Sequence, residues 1–272
     1  MRLLLIRHGE TVDNVAGNYA GTTDSALTAH GALQASHLAS HLSSRFRRIR
    51  ALFASDLQRA ARTAAAIRDE HLRARDVSVP LTATPLLRER DFGVLEGVRI
   101  IAADPTIRPD DVAESQAAMR QRAETFLDEH LVPEWASWGV AALQVHAADD
   151  EPVCAVVAHG LFLNVLFTAV CARVHPGAVS YAADVPGARG STPVLPWWSN
   201  TAYLECVLTG SAAEGSVDEK LRGHLPPIHM HIERVNCNEH LAGVKRTRGG
   251  IGSARYDEKQ TTIEQFLGGR KQ

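Results

Sequence analysis

Apolar positions fall into short unbroken runs and longer spaced series, and the alternation of the two outlines a fold. Leu3, Leu4, Leu5 and Ile6 form a run that stops at Arg7-His8-Gly9, the pattern of a strand covered on both faces in a parallel sheet. Residues 49–54 and 153–158 read the same way, the first ending at Ser55-Asp56 and the second at His159-Gly160. Between them, Thr28 predicts the cap of a helix with Leu33, Leu38 and Leu42 at helical spacing, running to about Ser44. Ser55 stands where it could cap the next helix, which places Arg59 in that helix's first turn. Met119, Ala123, Phe126, Leu127 and Leu131 predict an amphipathic helix over residues 114–131 that can run on towards Trp138, and residues 161–174 a helix behind the third strand.

The remaining segments are less regular. Residues 77–87, broken by Pro80 and Pro85, predict a strand or extended element at a sheet edge. Residues 13–24, rich in Asn, Gly and Thr, predict a loop over the first strand end. Pro105 and Pro109 mark another loop, and residues 176–200 a long one carrying Trp197-Trp198. Residues 201–208 and 228–235 predict the last two strands, one of them able to lie at the edge. The strand–helix alternation implies an α/β fold, a three-layer α/β/α sandwich with a mostly parallel central sheet.

Composition narrows the class. The chain of 272 residues is 45% hydrophobic and 22% charged, ordinary for a globular protein with one sizeable core. With 29 basic and 31 acidic residues, a net charge of −2 gives no general attraction to nucleic acid or to an anionic membrane, so any anion site must be local. Cys154, Cys171, Cys206 and Cys237 are widely spaced, and reduced buried thiols fit better than two disulfides. No signal peptide is expected, because four apolar residues precede Arg7. The apolar stretch 153–172 reads as strand and buried helix rather than a membrane span, since His159, Gly160 and Asn164 interrupt it. A cytoplasmic location is the expectation. One domain over residues 1–236 with a basic, glycine-rich C-terminal tail over 237–272 accounts for the change in composition: residues 245–272 hold seven Lys or Arg against three Asp or Glu. No internal repeat is present.

The chemistry collects at strand ends, where α/β sheets bind ligands. Arg-His-Gly alone is a weak signal. With it come Ser55-Asp56-Leu57-Gln58-Arg59-Ala60, then Leu87-Arg88-Glu89-Arg90-Asp91-Phe92-Gly93-Val94-Leu95-Glu96-Gly97, then Val156-Val157-Ala158-His159-Gly160. With these four blocks in this order, over about residues 1–210, the chain resembles the histidine phosphatase superfamily, the branch that includes cofactor-dependent phosphoglycerate mutases and fructose-bisphosphatase-like enzymes. The resemblance implies that His8 attacks phosphorus and becomes a phosphohistidine. It implies that Arg7, Arg59 and His159 surround the transferred group, a role for which a guanidinium fork matching two oxygens is suited. Glu89 stands at the family's proton donor, with Glu10 a nearby alternative. Asn14, Gly21 and Gly160 are carried over as substrate-binding positions, whereas Glu96 is read as holding a turn.

Each residue also has a plainer reading: most of the 13 histidines are exposed or satisfied in the core, and Arg59 alone would be a solvated helix residue. Their convergence on one sheet edge is what selects them. No metal and no cofactor are expected, because the carboxylates lack ligand spacing and arginine supplies the charge. The chain departs from many relatives at Ala20, before Gly21, and at Val98-Arg99-Ile100-Ile101, after Gly97. Phe92, Leu161, Phe162 and the Trp197-Trp198 loop predict an apolar pocket wall, disfavouring small, highly charged sugar phosphates.

The expected activity is therefore metal-independent hydrolysis of a small-molecule phosphate monoester. One alternative is a mutase, which needs a lid and a second basic subsite; residues 90–158 could supply a lid, but Arg99, Arg108, Arg120 and Arg122 are mixed with acids. The other is a non-catalytic interaction protein, since Gln260 to Leu267 weakly resembles a sliding-clamp-binding peptide, with Leu267 where an aromatic is usual. A terminal helical turn is the plainer reading of that segment. A homodimer is left open, and no membrane or nucleic-acid partner is expected.

Overall fold

The computed structural model describes residues 1–104, 106–142, 151–174, 177–185, 198–210 and 228–244. Trp197 and residues 245–272, including the clamp-like segment, lie outside them. Strands β1 (Arg2–Arg7), β2 (Ile49–Ser55), β3 (Leu81–Thr84), β4 (Val153–Ala158), β5 (Val179–Tyr181), β6 (Tyr203–Gly210) and β7 (Ile228–Cys237) form one sheet, in the order β3-β2-β4-β1-β6-β7-β5. Four of the six pairings are parallel, and only β6 runs against its neighbours β1 and β7. The helices are α1 (Val12–Ala16), α2 (Ala29–Arg45), α3 (Gln58–Arg75), α4 (Pro109–Val112), α5 (Gln116–Phe126), α6 (Val132–Ala142) and α7 (Gly160–Arg173).

Three layers follow from the alternation of side chains along each strand. In β1, Leu3 and Leu5 join Ala123, Phe126, Phe162 and Leu166 of α5 and α7 in one core. Leu4 and Ile6 join Leu38, Leu42, Ala60 and Ala64 of α2 and α3 in the other. Being covered on both faces is why these strands read as continuous apolar runs. Helix α5 continues through a π turn, Leu127–Leu131, into α6, so the amphipathic segment does extend past Trp138. No helix among the described residues is long and apolar enough to cross a membrane.

Several local expectations are corrected. Leu33 is 44% exposed; five residues before Leu38, it sits about 140° round the helix from the buried stripe. Ser55 does not cap α3: its hydroxyl accepts from Leu57 N, while the N–H of Gln58 is held by the Asp24 carboxylate at 2.7 Å. The segment after His8 contains α1, capped by Thr11 and ended at Gly17 in the left-handed region. The 176–200 loop contains β5, which covers β7, so the edges are β3 and β5 and neither β6 nor β7. Packed structure also runs past residue 236, since Cys237 belongs to β7 and the turn Glu239–Leu241 buries His240.

Candidate active site

The carboxyl ends of β1, β2 and β4 converge, and with them Arg7-His8, the start of α3, and His159. The imidazole of His8 is buried, its ring centroid 5.0 Å from that of His159. Nδ1 of His8 lies 2.7 Å from the Gly9 carbonyl oxygen. A carbonyl can only accept, so Nδ1 carries the proton and Nε2 keeps its lone pair. Arg59, 1% exposed on the first turn of α3, spreads its guanidinium over three acceptors: His159 Nδ1 at 3.1 Å, the Thr23 carbonyl at 2.7 Å and the Gly21 carbonyl at 2.6 Å. His159 therefore accepts on Nδ1 and carries its proton on Nε2.

That Nε2 is buried without a partner, as is Nε of Arg7, whose Nη1 donates to the Trp198 carbonyl at 2.6 Å. Two buried donors close to His8, one on Arg7 and one on the neighbouring ring of His159, thus have no protein acceptor. Burial, then the charges of Arg59 and Arg7, hold the pKa of His8 well below the usual histidine range, against the pull of the Gly9 carbonyl. Burial, then Arg59, His8 and Arg7, do the same to His159. Burial also lowers the pKa of both arginines, offset in each case by Glu89.

Glu89 faces the same cavity, of about 250 Å³, which is lined also by Arg7, His8, Asn14, Gly21 and Arg59. Its carboxylate accepts from the N–H groups of Leu161 (3.2 Å) and Phe162 (3.0 Å) in the first turn of α7 and from Arg90 N. The other carboxylate, Glu10, is buried away from the lining and accepts from the Thr28 hydroxyl at the start of α2. Asn14 is bonded to Thr11 N through Oδ1, which also accepts from Asn200. Gly21, at φ +52°, acts through its carbonyl on Arg59; a Cβ there would strike the Glu96 carboxylate. Gly160 stands behind the lining, where a Cβ would meet only Arg7 Nε, at 3.9 Å. Gly9 lets the chain pass α2: a Cβ there would lie 2.6 Å from the Gly31 carbonyl oxygen.

Of the predicted apolar wall, Phe92 and Leu161 line the cavity. Phe162 is core, and Trp198 anchors its loop by donating Nε1–H to Asn164 at 2.7 Å. The sequence alone did not single out Thr63, whose hydroxyl accepts from Gly9 N and donates to the Arg59 carbonyl. It also missed Asn200, which donates to the His8 carbonyl, and Thr201, whose N–H reaches the carbonyls of Arg7 and His8. A threonine at φ +59° is the kind of outlier that marks an over-determined site, but nothing in the sequence announces it. Among the described residues no three His, Cys, Asp or Glu side chains gather to hold a metal ion.

The family profile described as "Histidine phosphatase superfamily (branch 1)" matches residues 3–181. A probable phosphatase of Schizosaccharomyces pombe, C1620.13, is 32% identical over 270 residues, 97% of this chain and 78% of that protein. The broad-specificity phosphatase YOR283W of Saccharomyces cerevisiae is 36% identical over 104 residues, 38% of this chain and 44% of that protein. Among solved structures, mycobacterial glucosyl-3-phosphoglycerate phosphatase Rv2419c, complexed with VO3, superposes with a TM-score of 0.58 at 21% identity, covering 87% of this chain and 99% of that one. This last likeness concerns the fold.

Proposed function

Because the chain belongs to branch 1 of the histidine phosphatase superfamily and is a phosphoric monoester hydrolase, we propose that it hydrolyses small-molecule phosphate monoesters through phosphorylated His8, without a metal. The observation that carries the proposal is the surplus of donors around His8, whose Nε2 keeps a lone pair: Arg7 and Arg59 line the cavity with it, and His159, its ring centroid 5.0 Å away, and Arg7 each bury one N–H without a protein acceptor. A phosphoryl group supplies acceptor oxygens. Nε2 attacks phosphorus as the bond to the ester oxygen breaks. Charge on the equatorial oxygens then falls to Arg7, to the N–H groups of Arg59 not used by protein acceptors, and to His159. Glu89 delivers the proton to the leaving alcohol, then takes one from the water that releases phosphate. Asn14 borders the same space, while Gly21 and Gly160 support Arg59 and the approach of Arg7.

A mutase would need a second anion subsite. Arg108, Arg120 and Arg122 are paired with Asp111, Glu124 and Glu114, so hydrolysis is the better reading.

The test is turnover of p-nitrophenyl phosphate with and without EDTA, beside mass spectrometry after a denaturing quench at alkaline pH, where the N–P bond of a phosphohistidine survives. Wild type turns over unaffected by EDTA and shows phosphate on His8. His8→Ala is inactive, and Glu89→Gln loses roughly 10²–10⁴-fold in kcat. Loss of activity in EDTA, or activity surviving in His8→Ala, overturns the proposal.

A further inference from the structure

Resting on that reading, we infer that the ester this hydrolase prefers carries an uncharged, largely apolar alcohol, held against Tyr19, Phe92, Ile100 and Leu161. Charged side chains are few in the cavity lining. Among the described lining residues the cations are Arg7 and Arg59, which accompany His8, and the carboxylate is Glu89. The rest of the described lining is uncharged: Asn14, Asn18, Ala20 and Gly21, and the larger apolar or aromatic Tyr19, Phe92, Ile100 and Leu161. Among the described residues, a leaving group bearing a carboxylate or a second phosphate meets no further cation in this lining. An apolar one covers side chains now open to water, Ile100 at 53% and Leu161 at 45% exposure.

This wall is built by pairing two segments distant in sequence. Tyr19 N donates to the Val98 carbonyl at 3.0 Å, Gly97 N to the Tyr19 carbonyl at 2.8 Å and Ile100 N to the Gly17 carbonyl at 2.9 Å. The rings of Tyr19 and Phe92 then lie 4.8 Å apart. Nearby cations are committed elsewhere. Arg90 packs over Phe92 with its guanidinium bound to Asp110 and to the Glu114 carbonyl, Arg88 is bound to Asp56, and Arg99 has a partner of its own. At about 250 Å³ the cavity falls below the roughly 300–1,000 Å³ of sites for larger ligands. It suits a ring-sized alcohol, and a longer one would lie across Ile100 and Leu161 at the mouth.

The test compares monoesters of alcohols with similar leaving ability, so that binding rather than bond breaking decides: 2-phenylethyl phosphate, glycerol 3-phosphate and 3-phosphoglycerate, with the full chain. The expected kcat/KM for 2-phenylethyl phosphate exceeds the other two by about tenfold or more. Ile100→Asp, an exposed position, is expected to shrink that ratio by about tenfold, chiefly through KM for the phenylethyl ester. A wild type preferring glycerol 3-phosphate or 3-phosphoglycerate overturns the inference while leaving the hydrolase reading intact, as does a ratio unchanged in Ile100→Asp. Hydrolysis of none of the three, with p-nitrophenyl phosphate also inert, overturns both.

Discussion

At His8 one hydrogen bond decides which of the two ring nitrogens keeps its lone pair. The Gly9 carbonyl fixes the proton on Nδ1, and burial with two neighbouring guanidinium groups keeps a second proton off Nε2. A depressed pKa means that acidification leaves the nucleophile neutral well below pH 6.5, where a solvated histidine is half charged. The expected outcome in long-range ¹H–¹⁵N spectra of the free protein is one pyrrole-like nitrogen and one lone-pair nitrogen for His8, unchanged between pH 7.5 and 6. Two protonated nitrogens at pH 6 would sink the idea. The sequence announces His8, Arg7, Arg59 and His159, because each follows a strand end or a turn whose pattern is local. It does not announce Thr63, Asn200 or Thr201. Their contribution depends on tertiary proximity: Asn200 reaches His8 from 192 positions away.

Glu96 fixes a turn whose carbonyls hold Arg59. Its carboxylate accepts from the backbone and hydroxyl of both Thr22 and Thr23 and from Phe92 N. Burial raises its pKa, but those hydrogen bonds outweigh it and hold the carboxyl below the usual range. The turn so fixed presents the Gly21 and Thr23 carbonyls that clamp Arg59. Glu96→Ala should therefore cost about 1–3 kcal/mol in urea unfolding and raise KM several-fold for every phosphate ester alike. A variant with lowered stability but unchanged KM would show that the turn is not coupled to Arg59. Sequence reasoning reads Glu96 as a turn-holder, but of its partners only Phe92 lies in its own block; Thr22 and Thr23 are 74 and 73 residues away. Ser55 misleads it: a good capping residue stands two positions too early, and the cap is supplied by Asp24, 34 residues away from Gln58. Strand β5 escaped because three residues inside a Pro/Gly-rich stretch carry no period.

Across the molecule, buried polar groups are gathered at separate places around an apolar sheet. At the end opposite His8, the fully buried Glu205 is enclosed by Arg2, Arg45 and Arg234, tying β1, α2, β6 and β7 together. No sequence pattern predicts this, because its three partners come from three separate elements. At the catalytic end and along α2 and α3, His8, His71, His159 and His240 are all buried and all have lowered pKa, burial being the first cause in each. For His240 it is pushed down to about 4, with His41 and His37 adding to the effect. The unfolded chain thus binds more protons than the folded one as pH falls below 6.5, so stability is full above that value and is lost on the way down. Each such histidine adds a slope of up to about 1.4 kcal/mol per pH unit, in a window that opens near pH 6.5, before the carboxylates begin to titrate. The urea midpoint should fall from pH 7.5 to pH 5, and fall less in His240→Gln, which removes one titrating group. Glutamine can still offer an N–H to the Thr201 hydroxyl, which now lies 3.0 Å from His240 Nε2. An equal fall in both proteins would place the acid sensitivity in the other three histidines, and a midpoint that rises would contradict the linkage itself.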